Sequence, residues 1–350
     1  MNPAQNAKTI ALVVAIIVAI CAVVLALTLG RFPLSLGTIA QALWCGISGQ
    51  PQPDITAATV LFELRAPRVL AAFAVGAALA AAGAAYQNLF RNPLVSPDIL
   101  GVSAGASLGA VLAILLSWPL VALQGAAFAG GLVAVAIIVG IGWLVNQHKT
   151  ANFGYDRTLT LVLAGVVLGA LFSAGVSLIK TLADPDNKLP AITYWLLGSF
   201  SAIGVAELKF SVLPMAAGLL TLWLLRWRIN LLSLADDDAK AMGVNLTALR
   251  LWVIAAATLL TAASVAISGA IGWIGLVVPH AVRLMVGAEF SRLLPLAMLA
   301  GGTFMVVTDT IARSVSANEI APGILTALIG APVFILLLAG MGTTTGRRHP

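Results

Sequence analysis

Apolar positions fill this chain in long unbroken runs, and polar positions fall almost entirely between them. A bilayer-spanning helix needs about 20 apolar residues. Ten such runs recur, at 10–29, 67–90, 99–117, 124–146, 158–182, 208–227, 248–268, 269–287, 293–313 and 321–340. The pattern predicts an all-α polytopic membrane protein of about ten transmembrane helices, with 1–350 forming a single domain. Residues 31–64 carry Pro33, Pro51, Pro53, Asp54 and Glu63, and read as an external segment with one short amphipathic helix. The division near 268 rests on glycine alone, because SGAIGWIGLVVPH contains no charge. The first run has no small-residue cleavage site after it and reads as a retained helix, not a signal peptide.

One stretch breaks the pattern. RWRINLLSLADDDAKAMGVNLTALR (226–250) holds seven of the 32 charged side chains in 25 positions. Ser233 with Asp236 reads as a capping box, and Asp236, Asp237 and Asp238 sit where a helix N-terminus favours negative charge. Lys240 lies near the other end, and Gly243 can take the left-handed conformation that closes a helix. About nine residues of helix is ~13 Å, too short to cross a membrane and suited to plugging into a partner. An ordinary solvated loop has the same composition.

Composition narrows the class. Sixty per cent of residues are hydrophobic, 9% are charged and the mean hydropathy is +1.03, which excludes a soluble domain of this length. The net charge of +6 is spread over loops, so nucleic acid is not the expected partner. Cys21 and Cys45 form no disulfide framework, and His148, His280 and His349 are too scattered for a metal-ligand set. There is no His-Glu helix pair, no Ser/His/Asp set and no carboxylate pair inside a run, so no catalytic residue is expected. GVSAGASLGA (101–110) lacks the Gly-Lys-Ser/Thr of a P-loop. Ionisable residues within the runs are nearly absent, which counts against a secondary transporter using an ion gradient. A membrane-embedded scaffold or receptor, which binds partners and moves nothing, is a further class.

Orientation follows from the basic residues. With the N-terminus inside, twelve Lys and Arg fall on the inner side and seven on the outer, which favours cytoplasmic termini and a cytoplasmic 226–250. Within AAFAVGAALAAAGAA (71–85), Gly76 and Gly83 share one face and suit close helix packing. A shift of 186 residues aligns Ala77, Ala80, Gly83, Ala84 and Pro93 with Ala263, Ala266, Gly269, Ala270 and Pro279. That echo suggests an inverted repeat relating spans 2–5 to spans 7–10. The turn at 89–98 holds two prolines; its tip, Asn92 and Leu94, either links two helices or closes a pathway. Arg65, Arg68 and Arg313 sit at outer helix ends. They either snorkel to the interface or form a positive ring for an acidic partner, with Asp309 and Glu319 near enough to pair with Arg313.

These stretches together resemble the permease subunits of ABC importers for iron-siderophore complexes, haem and cobalamin (FecCD-type, type II importers). The likeness covers nearly the whole chain. It is carried by LRAPRVLAAFAVGAALAAAGAAYQNLFRNPLVSPDILGVSAGA (64–106), YWLLGSF (194–200), LADDDAKAMGV (234–244), SGAIGWIGLVVPHAVRL (268–284) and EIAPGILTALIGAPVFILLL (319–338). One departure is Leu-Arg-Ala-Pro-Arg where relatives often have Leu or Ile before the proline; the arginine spacing is intact.

The resemblance implies a subunit of ten transmembrane helices that does no chemistry itself and binds no cofactor. It implies a second permease copy or a paralogue, two cytoplasmic ATP-binding subunits holding ATP-Mg, and a periplasmic or lipoprotein substrate-binding protein. The setting is the bacterial cytoplasmic (inner) membrane. Residues 229–247 match the family's cytoplasmic coupling loop, with Ser233, Leu234, Asp236, Asp237, Asp238, Lys240, Met242 and Gly243 facing the ATPase. Arg65, Arg68 and Arg313 match arginines that grip the binding protein, and Asn92 and Leu94 match a cytoplasmic gate. A second gate is expected at about His148 to Asp156, and Ser173 and Ser177 are expected to line the path. A ferric siderophore is the first cargo expected; haem, cobalamin and molybdate are the alternatives.

Overall fold

The structure, a computed structural model, describes residues 3–147, 157–316 and 318–345. From the N-terminus, α1 (Pro3–Thr28) is followed by the amphipathic α2 (Leu36–Ser48) and by α3 (Ile55–Thr59). A π-helical turn (Val60–Arg65) then runs without a break into α4 (Ala66–Leu89). Next come α5 (Val102–Leu115), α6 (Leu120–Gln147), α7 (Arg157–Leu182), α8 (Lys188–Leu197) and α9 (Val205–Ile229). The polar stretch forms α10 (Asp236–Ala241), and α11 (Leu246–Ser268), α12 (Ile274–Val286), α13 (Phe290–Ser314) and α14 (Pro322–Thr345) complete the chain. Each of the ten apolar runs coincides with one helix: α1, α4, α5, α6, α7, α9, α11, α12, α13 and α14.

Two boundaries differ from expectation. The external segment gives its last residues to a continuous helix reaching from Ile55 to Leu89, so the second span begins well before residue 67. α5 and α12 have only 14 and 13 helical residues. At 1.5 Å per residue they reach about 20 Å, short of a ~30 Å hydrocarbon core. Each is completed by irregular backbone, the 3₁₀ turn Pro97–Leu100 before α5 and residues 269–273 before α12. Such backbone is tolerated at membrane depth where protein covers it, and Pro97, Leu100, Gly269 and Ile271 are buried.

α4 and α11 form the centre, buried along most of their lengths and packed on each other. Small side chains make this possible, because lipid offers no hydrophobic drive between helices and close approach must supply contact instead. Gly76 lies against Gly301 of α13, and Gly83 against the Gly275 carbonyl of α12; a Cβ at either would overlap the opposing backbone. Tyr86 of α4 and Thr258 of α11 share a buried hydroxyl hydrogen bond of 3.1 Å. The outer helices α1, α6, α7 and α9 expose large apolar side chains such as Ile17, Val133, Val167 and Leu224. That surface fits a lipid surround and no aqueous one.

The two sets of four helices correspond in length and packing, but not at the 186-residue shift. α4, α5, α6 and α7 have 24, 14, 28 and 26 residues, and α11, α12, α13 and α14 have 23, 13, 25 and 24. Their packing corresponds as well: α4 contacts α12 and α13 as α11 contacts α5 and α6. The 186-residue shift fails as an alignment, because Gly83 is mid-helix whereas Gly269 caps α11, and Pro93 lies in a turn whereas Pro279 lies inside α12. Alanine-rich helices match one another at many shifts, so that match carried no structural information.

Candidate functional site

The polar stretch folds as a knob at one end of the bundle. α9 ends at Ile229, a 3₁₀ turn covers Asn230–Ser233, and the chain is extended at Leu234 and Ala235 before α10. The expected capping box does not form. Ala235 is the N-cap, neither it nor Ser233 caps α10, and the helix has six residues, not about nine. The cause is Asp236, whose carboxylate is taken by two guanidinium groups. Arg250 Nη2 donates to its Oδ1 and Oδ2 at 2.8 and 2.9 Å, and Arg91 Nη2 donates to Oδ1 at 2.7 Å. Bonds from two guanidinium groups, charged on both sides, outweigh the single backbone-amide bond that a capping box would give this carboxylate.

The knob is anchored at both sides. Leu232 and Ala239 are buried, and Asn230 Oδ1 accepts the Phe290 amide at 2.7 Å, tying the turn to the start of α13. Gly243 closes α10 with φ +76° and donates to the Lys240 carbonyl at 2.9 Å, as expected of a left-handed cap. Asn245 caps α11 through the Ala248 amide. Among the residues left outward are Ser233, Leu234, Asp237, Asp238, Lys240, Met242 and Gly243. Asp237, 95% exposed, pairs with Lys240 at 3.3 Å.

The hydrogen bond from Arg250 holds the Asp236 carboxyl below the usual carboxylate range; burial, the next largest effect, opposes it, and the Arg91 bond and the charges of both guanidinium groups add to the lowering. A carboxylate lowered on folding adds stability above its unfolded value, about 3.9, and loses it as pH falls through the folded value. Amide exchange across 230–245 is therefore expected to be the same from pH 8 to 6, once intrinsic rates are corrected. Protection should fall only in acid, below about pH 4.

The 89–98 turn lies at the same end. Arg91 has φ +50°, and Asn92 Oδ1 accepts the Leu94 amide at 2.9 Å. Asn92 and Leu94 are both exposed. Beneath them, Gln87 Nε2 donates to the Leu276 carbonyl at 3.1 Å and Arg283 Nη2 donates to Asn88 Oδ1 at 2.9 Å. The second expected gate, about His148 to Asp156, lies outside the described residues. Ser173 and Ser177 lie on an exposed stretch of α7, where Ser177 Oγ donates to the Ser173 carbonyl at 2.9 Å. α7 packs on α5, α6 and the 97–100 turn, and the rest of its surface carries exposed Val166, Val167, Leu171 and Leu178.

At the opposite end the three arginines are turned inward, not outward as a free positive ring. Arg65 Nη1 donates to the Leu27 and Thr28 carbonyls at 2.8 and 3.2 Å, and Nη2 to Phe32. Arg313 Nη1 donates to the Leu29 carbonyl at 2.9 Å and Nη2 to Ala26. Ala26, Leu27 and Thr28 belong to the last turn of α1, whose carbonyls have no partner within the helix, and Leu29 and Phe32 follow it; cations there also suit the helix dipole. Arg68 grips Asp309 at 2.8–3.1 Å and Glu319 at 3.0–3.1 Å. Asp309 thus belongs mainly to Arg68, with Arg313 Nε at 3.8 Å, and Glu319 pairs with Arg68, not with Arg313. Among the described residues no group of His, Cys, Asp and Glu is arranged to hold a metal.

Sequence reading missed Arg91, Arg250, Asn88 and Arg283. Their only signal is being polar at the end of an apolar run, which also describes any interfacial residue.

Comparisons with known proteins agree with one another. A molybdate import system permease protein of Haemophilus influenzae is 42% identical over 315 residues, covering 90% of each chain. A probable iron chelatin transport system permease protein of Helicobacter pylori is 39% identical over 279 residues, covering 80% of this chain and 82% of that one. A metal-chelate type ABC transporter solved in an inward-facing conformation superposes with a TM-score of 0.83 at 40% identity, over 94% of this chain and 98% of the other. Residues 15–340 match the FecCD transport family. With ten helices where the sequence asks for ten spans, and relatives that match along most of their own length, the chain belongs to the FecCD transport family.

Proposed function

We propose that this chain is the permease subunit of an ATP-driven importer, forming the path of a metal chelate through the bacterial cytoplasmic (inner) membrane with both termini in the cytoplasm. The observation that carries this is α10, a short polar helix on anchored turns at the same end as the 89–98 turn. Its outward Leu234, Asp237, Asp238, Lys240 and Met242 mix apolar and charged groups, as a docking surface for a separate ATP-binding subunit requires. Two such subunits bind ATP-Mg and supply the chemistry. A second permease copy or a paralogue covers the open face of α7, so that Ser173 and Ser177 line the path between the two copies. Asn92 and Leu94 form the cytoplasmic gate.

A substrate-binding protein docks at the opposite end. Arg65, Arg68 and Arg313 against Asp309 and Glu319 leave one net positive charge there, which favours an acidic partner. Glu319 is the exposed member at 30%, so Arg68 exchanges that carboxylate for one on the partner while keeping Asp309. The first cargo to test is a ferric siderophore, in line with the iron chelatin relative. Molybdate is the second, favoured by 42% identity to a molybdate permease over 90% of both chains.

Purification from native membranes in mild detergent is expected to bring a stoichiometric ATP-binding subunit with the chain. Vesicles holding that complex and its binding protein should then take up one of the two labelled cargoes only with ATP. A chain that comes alone and moves solute without ATP makes it a secondary transporter, and one that moves nothing makes it a scaffold. Gly243→Val tests the docking surface. Nothing lies within 4 Å of the added Cβ, so the cost is conformational, about 1–2 kcal/mol for a side chain at positive φ. Membrane insertion should survive while ATPase association or ATP-driven uptake falls; normal uptake would remove α10 from the coupling surface.

A further inference from the structure

We propose that Asp236 is a positioning residue whose carboxylate, through Arg91, carries movement of α10 to the 89–98 turn. This rests on the reading of 231–246 as the surface to which an ATP-binding subunit docks.

The acidic triplet is divided between two tasks. Asp237 and Asp238 face outward, whereas Asp236 reaches between two parts of the bundle distant in sequence. On one side Arg250, in the second turn of the central α11, holds both carboxylate oxygens and anchors the pair to the core. On the other side Arg91 closes α4 and opens the turn. Arg91 Nη2 reaches Asp236, and its Nε donates to the Leu232 carbonyl at 2.7 Å. One guanidinium therefore bonds the first residue of α10 and the 3₁₀ turn before it. Among the described residues this is the one ion pair between the knob and the turn.

The turn is built to move as a unit with Arg91. Its backbone is braced internally by the Val95 amide on the Asn92 carbonyl at 3.3 Å, while the Asn92 amide hinges it on the Gln87 carbonyl of α4 at 3.1 Å. The Asn92 side chain holds Leu94. Arg91 itself sits at φ +50°, a backbone that a residue with a side chain adopts only when its surroundings impose it. Here the left-handed cap of α4 imposes it, with the Arg91 amide on the Asn88 carbonyl at 3.3 Å, and the side-chain bonds to Leu232 and Asp236 join that cap to the knob. Displacing α10 moves their acceptors, and with them Arg91 and the tip three residues on.

Both members of the Arg91–Asp236 pair are 41% exposed, so the pair adds little to stability. Its removal should uncouple without unfolding.

The test uses the whole importer, permease with its ATP-binding subunits, in lipid vesicles. Leu94→Cys serves as reporter, labelled from the knob side by a membrane-impermeant maleimide; Cys45 is buried and Cys21 lies within the apolar α1. The labelling rate is compared without nucleotide and with ATP trapped by vanadate. The parent is expected to show a difference between the two states. Arg91→Gln and Arg91→Gly (glycine accepts the positive φ) should each lose most of it, with the ATP-binding subunit still bound and hydrolysing, and Asp236→Ala should lose it as well. Asp236→Glu should restore it. An undiminished difference in both Arg91 variants overturns the proposal and leaves the docking surface standing. Loss of the ATP-binding subunit from Asp236→Ala leaves the decision to the Arg91 variants, which lie on the turn and not on α10. If the bound subunit gives 231–246 no protection from hydrogen exchange, the docking reading fails and the proposal with it.

Discussion

Gly83→Leu is expected to leave little or no folded protein in the membrane. The added Cβ would overlap the Gly275 carbonyl, and that carbonyl belongs to helical backbone, not to a side chain that can turn away. Nor can α12 retreat, because the Cβ position of Gly275 already meets the ring of Pro97 at 2.5 Å. Overpacking a core costs about 1–3 kcal/mol when side chains absorb it; here backbone must move against backbone, and the cost lies at or above the top of that range. Gly140→Leu on α6 is the control, since nothing lies within 4 Å of its Cβ. Leucine is the better helix former by roughly 0.8 kcal/mol, so that variant should match or exceed the parent. The measurement is the yield of monodisperse protein by size exclusion in detergent. Equal yields for the two variants would show that α4 and α12 do not cross at these glycines.

Asp309→Ala is expected to destabilise the protein by about 3–5 kcal/mol, the cost of removing one partner from a buried ion pair. Asp309 is 2% exposed and Arg68 13%, with the Arg313 guanidinium beside them. Without the carboxylate, two positive charges face each other in a space with little water to solvate them. Glu319→Ala takes the other carboxylate from Arg68, but that group is 30% exposed, and its loss should cost no more than about 1 kcal/mol. Melting of the purified protein in detergent should therefore separate the two variants widely, with Asp309→Asn between them. Similar melting temperatures would mean that the cluster is as open to solvent at Asp309 as at Glu319. The contrast also bears on docking: Glu319 is the partner Arg68 can exchange, and Asp309 the one it must keep.

The helix inventory was readable because of one physical constraint. A bilayer-spanning chain must satisfy its backbone hydrogen bonds internally, so apolar run and helix become the same thing. Ten runs gave ten helices, and the glycine break at 268 was a true one, with Gly269 at φ +70° ending α11. Local chemistry was also readable where only neighbours decide: Gly243 closes α10, and the acidic triplet begins it. Length was less readable, because α5 and α12 borrow buried irregular backbone that looks no different in composition from helix.

Partners of polar groups were not readable at all. Ser233 and Asp236 have capping-box spacing, yet Asp236 went to Arg91, 145 positions away in the chain, and to Arg250. The same holds at the other end, where three arginines with the spacing of a docking ring are held by the end of α1 and by two carboxylates. The sequence by itself determined that the chain lives in a bilayer, how many times its helices recur, and which short stretch is polar. Hydrophobic periodicity and local capping are written in neighbouring residues. Only the tertiary structure decided which charges meet and which glycines touch. A guanidinium or a carboxylate in a dry interior takes whichever counter-group the packing of distant helices brings within 3 Å or so, and no spacing along the chain encodes that distance.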